Sequence, residues 1–201
     1  AGQYPGFLVC NRCGKTAFDP QRVGPHERDY YLSTRGTGRC TGQFEQVYLG
    51  YGFASDVLIL RLPLSKPLRF DPVRTTEREP VSNALQSLAE ALVLGISQEL
   101  DIDIREINAG FRFVRVGEEH FADIFVYDTL SGGAGYATQA GELFEAVMIR
   151  AEALLSRCTC STSCDKCLRH YGNRFHHSIL DRRLALDLLR YARDGFIPAV
   201  P

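Results

Sequence analysis

The chain has 201 residues, 45% of them hydrophobic and 23% charged, and its formal net charge at pH 7 is -1. This is the composition of an ordinary globular protein of one domain or slightly more. A net charge near zero excludes a general polycation, so any nucleic-acid surface must be a local patch. No apolar stretch of about 18 residues predicts a membrane-spanning helix, and the first residues do not have the pattern of a signal peptide. We therefore expect a cytoplasmic piece of a larger protein, with no membrane partner and with reduced cysteines.

The first half of the chain changes character along its length. Residues 1–43 are rich in glycine, proline and arginine, which predicts loops. Residues 44–49 and 55–62 have strand-like composition and are separated by glycines, which predicts two strands. Over residues 80–99 apolar side chains recur at helical spacing, which predicts an amphipathic helix capped by Ser82.

The second half combines a hairpin with two further helices. Residues 104–116 and 121–127 predict paired strands around a glycine turn. A long helix is predicted over residues 135–156. A last helix is predicted over 181–193, for which Asp181 is the expected cap.

The order of these elements predicts an α+β fold, with helices packed on an antiparallel or mixed sheet and one or two zinc knuckles. We divide the chain into a loop-rich zinc-knuckle segment, residues 1–43, and an α+β zinc-binding domain, residues 44–201. The sequence contains no internal repeat and no low-complexity segment that would suggest a further division.

Four cysteines lie close together near the end of the chain: Cys158, Cys160, Cys164 and Cys167. Zinc prefers four such soft ligands in a tetrahedron, so the spacing predicts a structural zinc site. An iron–sulfur cluster takes the same ligands and stays an alternative, as do disulfides or free thiols. Four cysteines leave no open position for water, so a catalytic zinc is not expected. A mixed site stays open because three histidines follow, at His170, His176 and His177.

A second metal signal lies near the start of the chain. Cys10 and Cys13 form a Cys-x-x-Cys pair followed by a glycine, which permits the tight turn of a zinc knuckle. Cys40 has glycine neighbours as well, and His26 is the histidine nearest in sequence. We predict a second zinc site formed by Cys10, Cys13, His26 and Cys40. The alternatives are a fourth ligand from another part of the parent chain, or a knuckle without metal.

A glycine-rich turn, residues 128–136, follows a predicted strand and opens a predicted helix. The backbone amides of such a turn can bind a phosphate or the DNA backbone; the alternative is close strand–helix packing that only glycine permits. Carboxylates near the ends of elements would allow a metal-dependent nuclease, although each is also interpretable as a cap or a solvated charge. These carboxylates are Asp56, Glu99, Glu106 and Asp128.

Cations and aromatic residues are interleaved after the four cysteines. Cations suit phosphate contacts, and aromatic rings such as Tyr171 and Phe175 suit stacking on exposed bases. A solvated helix face is the alternative. The residues predicted to contact nucleic acid are Lys166, Arg169, His170, Arg174, His176, Arg182 and Arg183. In this interpretation the zinc is a rigid support for the basic segment and performs no chemistry.

Residues 127–136 and 158–173 together resemble the MZB domain, the C-terminal zinc-binding domain of bacterial superfamily 2 helicases of the mitomycin repair factor A type. The resemblance takes in residues 55–60 and the helix after Pro80, and it covers roughly residues 44–190. The same domain occurs in DrmB-like proteins of the DISARM phage-defence system. The resemblance implies an accessory role beside an ATP-driven DNA motor, and a zinc held by Cys158, Cys160, Cys164 and Cys167. The helicase motifs themselves are missing from this sequence.

Three hypotheses of function follow. The first is a non-enzymatic zinc module that assists DNA binding or motor coupling of a helicase, in cis or in trans, in DNA repair or phage defence. The second is a protein-docking module of a DrmB-like defence complex without DNA contact, which the near-neutral charge favours. The third is the metal-dependent nuclease.

Overall fold

The computed structural model describes residues 7–17, 25–27, 38–48, 50, 52–64 and 75–195, and the chain divides into two compact units between Gly52 and Phe53. The first unit consists of short antiparallel strands: β1 (Phe7–Cys10), β2 (Thr16–Ala17), β3 (His26–Glu27), β4 (Arg39–Cys40) and β5 (Phe44–Val47). Strand β1 lies between β2 and β5, and β3 pairs with β4. A unit this small buries little apolar surface, so its folding needs additional links.

The division between the units differs from the boundary suggested by the sequence. The sequence places the strand over residues 44–49 in the second domain, whereas β5 pairs with β1 in the first unit, with Phe44 opposite Cys10. Strand-like composition predicts a strand but not the strand with which it pairs, because pairing is set by register and turn geometry.

The second unit confirms the predicted α+β class. Its antiparallel sheet has the order β6-β8-β7, and β7 and β8 form the predicted hairpin. Short 3₁₀ segments at Ile104–Glu106 and Tyr171–His176 complete it. The strands are β6 (Val57–Pro63), β7 (Ile107–Val116) and β8 (Glu119–Asp128), and the helices are α1 (Thr75–Leu100), α2 (Tyr136–Glu142), α3 (Phe144–Arg157) and α4 (Arg182–Asp194).

Helix α1 is the centre of the second unit. It packs against the sheet and against helices α3 and α4. It is therefore buried around most of its circumference, which is more than the single apolar face of the predicted amphipathic helix. Its fully buried side chains include Leu85, Leu88, Ala91, Leu92 and Ile96. Within the described residues, none of the helices combines the length and apolar character that crossing a membrane requires.

Two predicted helix boundaries are wrong. Helix α1 begins at Thr75 and contains Pro80, so Ser82 is not its cap. A proline near the start of a helix removes one backbone hydrogen bond without ending the helix. The single helix predicted over 135–156 is two helices, because Leu143 departs from helical geometry with φ -101° and ψ 23°.

A buried ion triad fixes the register of the sheet. Asp123 in the middle of β8 is fully buried and lies opposite Arg61 of β6 and Arg112 of β7. Its carboxylate accepts from Arg61 Nε at 2.6 Å and from Arg112 Nη2 at 3.1 Å. The hydrogen bond from Arg61 is the main reason why the pKa of Asp123 is lowered. A slip of one residue would leave this carboxylate buried without partners, so the triad selects one pairing.

Replacing Gly95 with alanine is expected to destabilise the contact between α1 and α3. A Cβ at this position would lie 3.0 Å from the Val147 carbonyl oxygen and 3.3 Å from Ala151 Cβ. Overpacking of this kind costs about 1–3 kcal/mol, measurable as a lower free energy of unfolding in urea. The matched control is Gly141→Ala in α2, whose Cβ would meet only Leu58 Cδ1 at 3.5 Å. We expect that change to be neutral or stabilising by about 0.5 kcal/mol.

Candidate zinc centres and the adjoining basic surface

The four clustered cysteines converge on one point. Cys158 ends helix α3, and the loop that follows brings the other three thiols beside it. The Sγ–Sγ distances are 3.4 Å for Cys158–Cys160, 3.5 Å for Cys158–Cys164, 3.7 Å for Cys160–Cys167 and 3.9 Å for Cys164–Cys167. Tetrahedral zinc with Zn–S bonds of about 2.3 Å separates its sulfurs by about 3.8 Å. The donor set and its spacing therefore fit a closed zinc site.

The ionisation of these thiols also favours a bound cation. A hydrogen bond from the Cys160 backbone lowers the pKa of the Cys158 thiol to about 7. Burial raises the pKa of the Cys167 thiol to about 12. One thiolate thus forms readily at neutral pH, whereas four neighbouring thiolates require a positive charge between them. A divalent metal supplies that charge.

The cysteine loop is anchored in the core. The Cys164 carbonyl oxygen accepts hydrogen bonds from the backbone amides of Cys167, Leu168 and Arg169 at 3.0–3.1 Å. Cys167 and Leu168 belong to the same buried cluster as helix α1. A metal in this loop would therefore stabilise the end of α3 and the segment that follows it, without taking part in a reaction.

The second predicted ligand set also comes together, in the first unit. The ligand atoms of Cys10, Cys13, His26 and Cys40 all lie within 4.8 Å of one another. The Sγ atoms of Cys10 and Cys40 are 3.8 Å apart, and His26 Nε2 lies 3.2 Å from Cys13 Sγ. Gly42 permits this approach, because a Cβ there would lie 2.5 Å from Cys10 Sγ. Three thiols and one imidazole are again a ligand set that suits zinc.

Two of the predicted nucleic-acid residues support the cysteine loop instead of extending into solvent. Arg182 Nε donates to the Cys160 carbonyl oxygen at 2.8 Å, and Arg169 Nε donates to Ser163 Oγ at 2.9 Å. The sequence identified both residues as cations, but these hydrogen bonds give them a structural role. The guanidinium groups of Arg169 and Arg182 are thus engaged with the loop, and contact of either residue with nucleic acid stays a prediction.

A buried polar network, which sequence reasoning missed, holds the segment after the cysteines. Glu90 of α1 is only 8% exposed, and Asn173 is 4% exposed. Asn173 Nδ2 donates to Glu90 Oε2 at 2.9 Å, and its Oδ1 accepts from the His170 backbone amide at 3.0 Å and from His177 Nε2 at 2.9 Å. His170 Nε2 lies 3.1 Å from Glu90 Oε2, and His176 Nδ1 lies 3.8 Å from Glu90 Oε1. The two predicted DNA-contacting histidines therefore face this network.

The remaining predicted residues, Lys166, Arg174 and Arg183, are exposed. Within the part of the chain that the structure describes, the side chains of Lys166 and Arg183 make no hydrogen bond or ion pair. The Arg174 guanidinium lies over two exposed rings, 4.5 Å from the centroid of Tyr171 and 4.4 Å from that of Phe175. Five exposed residues thus carry the predicted cationic and aromatic character of this segment: Lys166, Tyr171, Arg174, Phe175 and Arg183.

The glycine-rich turn does not offer its amides to a ligand. Asp128 at the end of β8 is fully buried, and its carboxylate accepts from the backbone amides of Ala134, Tyr136 and Ala137 at 2.6, 3.1 and 2.8 Å. The chain's own carboxylate occupies the position that an external anion would take, which favours close strand–helix packing over a phosphate contact. Gly133 permits the close packing of the turn, since a Cβ there would collide with Asp56.

The carboxylates considered for a nuclease are not gathered into a site. Glu99 accepts from Arg150 Nε at 2.8 Å, and Asp128 caps the turn before α2. Among the described residues, the groups of three or more potential metal ligands are the two cysteine-containing clusters. The named carboxylates therefore do not belong to a cluster of three ligands among the described residues, and the nuclease stays a hypothesis.

Comparison with known proteins identifies the region around the four cysteines. Residues 82–168 match the family model of the MrfA Zn-binding domain, MZB, and the match ends directly after the last cysteine of the loop. The chain contains an MZB domain. The matched region also includes most of α1, the β7–β8 hairpin and α3. The matched residues therefore include both the four-cysteine cluster and much of the core against which it packs, whereas the second cluster lies outside them.

A curated relative covers almost the entire chain. It is Druantia protein DruE of Escherichia coli (strain UMEA 4076-1), with 41% identity over 207 residues. The alignment includes 98% of this chain and 11% of the relative, so the chain spans about a tenth of that protein. The relative is named as a Druantia protein, whereas the resemblance in sequence pointed to helicases of the mitomycin repair factor A type and to DrmB-like proteins of DISARM.

Two solved structures of the DUF1998 helicase MrfA are also similar. The structure bound to DNA has 17% identity and a TM-score of 0.46, and the match covers 90% of this chain and 24% of that chain. The structure bound to DNA and AMPPNP has 15% identity and a TM-score of 0.43, with 83% and 21% covered.

Proposed function

We propose that this chain is a structural-zinc module of a DNA helicase or helicase-associated protein, acting in the cytoplasm as part of a defence system. The observation that carries the proposal is the MZB match, which ends at a four-thiol cluster with the spacing of tetrahedral zinc. The 41% identity to a Druantia protein favours defence over general repair. The module itself performs no catalysis in this proposal, and the motor is supplied by another part of the same protein or by a partner.

The proposal includes two zinc ions per chain. The first is held by the MZB cysteines, and the second by Cys10, Cys13, His26 and Cys40. The strands of the first unit are two to four residues long, so a metal that joins β1, β3 and β4 would replace the core that this unit lacks. Both ions have a structural role here.

We further propose that the exposed cations beside the zinc loop contact DNA phosphates. Lys166 lies inside the cysteine loop, and Arg183 lies in the first turn of α4. Asp181 is the acidic residue nearest to Arg183, and its carboxylate is engaged as the cap of α4, accepting from the Arg183 and Leu184 amides. Over residues 165–183 three exposed cations, Lys166, Arg174 and Arg183, outnumber the exposed acid Asp165, so the local charge is positive although the whole chain is near neutral.

Replacing both Lys166 and Arg183 with glutamate is expected to weaken DNA binding. For a single strand, each lost phosphate contact makes the negative slope of log affinity against log salt shallower by about 0.7. Loss of both contacts should therefore make the slope shallower by about 1.4 and lower the affinity at physiological salt by about tenfold. The measurement is fluorescence anisotropy with a labelled oligonucleotide at several salt concentrations, on this chain and on the full-length protein.

The matched control is Arg115→Glu, which reverses an exposed charge on the β7–β8 hairpin. We expect it to leave the salt slope unchanged. Equal losses for the control and the double variant would show a general charge effect and would contradict a local DNA surface.

Docking of a protein partner without DNA contact is the second candidate function. The outer face of the sheet favours it, because Val57 and Ile59 are each 51% exposed. Replacing both residues with lysine would separate the candidates. Loss of assembly with the rest of the defence complex, at unchanged DNA affinity, would support docking as the function of this face.

A further inference from the structure

Two large aromatic side chains are presented to solvent next to the MZB zinc loop. Tyr171 is 82% exposed and Phe175 is 79% exposed. They are four residues apart in one 3₁₀ segment, and the guanidinium of Arg174 lies over both rings at 4.5 and 4.4 Å from their centroids. Paired exposed aromatics are unusual on a protein surface unless they contact a ligand or partner.

The rings extend from a rigid base. Asn173, between them in sequence, is directed inward and uses both of its N–H donors, to Glu90 Oε2 and to the Leu168 carbonyl oxygen at 2.8 Å. His177 donates Nε2–H to Asn173 Oδ1 and approaches the His170 carbonyl oxygen at 3.1 Å; both partners are oxygen acceptors, so this nitrogen carries the proton. The segment is thus fixed to helix α1 on one side while the rings stay in solvent on the other.

We propose that Tyr171 and Phe175 form a stacking platform for the unpaired bases of single-stranded DNA. The guanidinium of Arg174 is a planar cation that already occupies a stacking position. A base can take that position while Arg174 turns to the neighbouring phosphate. Duplex DNA does not expose the faces of its bases, so the platform selects a separated strand. This inference rests on the proposed DNA-contacting function and names its ligand.

The charge around the platform favours a nucleic acid over a protein. Arg174 lies within it, and two further exposed cations flank the segment in sequence, Lys166 before it and Arg183 after it. The main acidic residue packed against the segment, Glu90, faces inward and is engaged by Asn173 and His170. A cationic surface with free aromatic faces suits a single strand, whose backbone is anionic and whose bases are planar.

The test compares three DNA ligands of equal length, about 12 nucleotides, within the site sizes of single-strand-binding folds. They are a single strand with bases, an abasic strand with the same phosphates, and a blunt duplex. The protein is the zinc-loaded full-length chain, as wild type and as the double variant Tyr171→Ala/Phe175→Ala. Tyr171→Phe and Phe175→Tyr keep the rings. Leu130→Ala is the matched control, because Leu130 is 56% exposed and lies outside the segment.

We expect the double alanine variant to bind the strand with bases about ten- to a hundredfold more weakly, with an unchanged salt slope and unchanged binding of the abasic strand. The ring-retaining variants and Leu130→Ala should bind like the wild type, and zinc content should stay constant in all. Unchanged affinity for the base-containing strand, or an equal loss on the abasic strand, would overturn the stacking inference. The Lys166/Arg183 result tests the phosphate surface independently, so the two proposals can fail separately. If the Tyr171→Ala/Phe175→Ala variant lost assembly with a protein partner at unchanged DNA affinity, the stacking inference would be overturned in favour of protein docking.

Discussion

Replacing Cys164 with alanine is expected to remove one zinc ion per chain and to release the segment after helix α3. Cys164 supplies one of the four Sγ atoms of the proposed zinc site, and its carbonyl oxygen accepts three backbone hydrogen bonds in the loop. Loss of the metal should lower the free energy of unfolding by on the order of 5 kcal/mol, less than the roughly 10–16 kcal/mol of apparent zinc affinity in small zinc-finger peptides. We expect a smaller effect because α1 and the sheet contribute many buried apolar side chains that lie outside the cysteine loop.

The decisive measurements for Cys164→Ala are metal content per chain and thermal unfolding. The matched variant is Cys13→Ala, which should remove the other zinc and leave the MZB centre intact. DNA binding should fall in Cys164→Ala, because the segment carrying Tyr171 and Arg174 follows this loop directly, and should change much less in Cys13→Ala. A metal content of two in either variant would contradict the ligand assignment. Full unfolding of Cys164→Ala would show that the core depends on the zinc.

The metal ligands were accessible to sequence reasoning because knuckle geometry is local. A Cys-x-x-Cys pair forces two thiols together whatever the rest of the fold does. His26 is a harder case, since it was chosen only as the nearest histidine, yet its Nε2 lies 3.2 Å from Cys13 Sγ. His26 comes close to the three cysteines because β3 pairs with β4, which sets His26 directly opposite Cys40, and its role as a ligand stays a prediction.

The basic surface could be predicted only in part, because a cation in a sequence does not reveal its partner. Arg182 bonds the carbonyl oxygen of Cys160, which lies 22 residues before it. His170 lies against Glu90, at a separation of 80 residues. In the sequence Glu90 is one acidic residue on a helix, and contacts at this range depend on how helices pack. Composition therefore overestimated the number of free cations.

The glycine-rich turn illustrates the same limit for backbone groups. The strand–turn–helix order and the three glycines with positive φ in this turn, Gly132, Gly133 and Gly135, suit an anion site. The turn does bind a negative charge, but the charge is the carboxylate of Asp128, the first residue of the motif itself. Sequence reasoning considered Asp128 and the amides as separate features. Their combination gives Asp128 a structural role and occupies the amides of Ala134, Tyr136 and Ala137.

Replacing Asp128 with alanine is accordingly expected to be among the most destabilising single changes in the second unit. It would leave three buried or half-buried backbone amides, those of Ala134, Tyr136 and Ala137, without their acceptor. Each unsatisfied donor costs about 1–3 kcal/mol, so a loss of about 4 kcal/mol is expected, a large part of the roughly 5–15 kcal/mol of a typical domain. Urea unfolding at pH 7 measures it.

Two comparisons make the Asp128 prediction specific. Asp128→Asn keeps one acceptor oxygen but directs an amide group at backbone donors, so about half of the loss is expected. Glu118→Ala removes a carboxylate that is 94% exposed and paired with Arg115, and it should change stability by less than about 0.5 kcal/mol. If the turn instead served an external anion, Asp128→Ala would cost little and would create phosphate binding. A loss below about 1 kcal/mol would therefore return the turn to the list of candidate ligand sites, whereas the expected loss establishes Asp128 as the internal anion that holds α2 against the sheet.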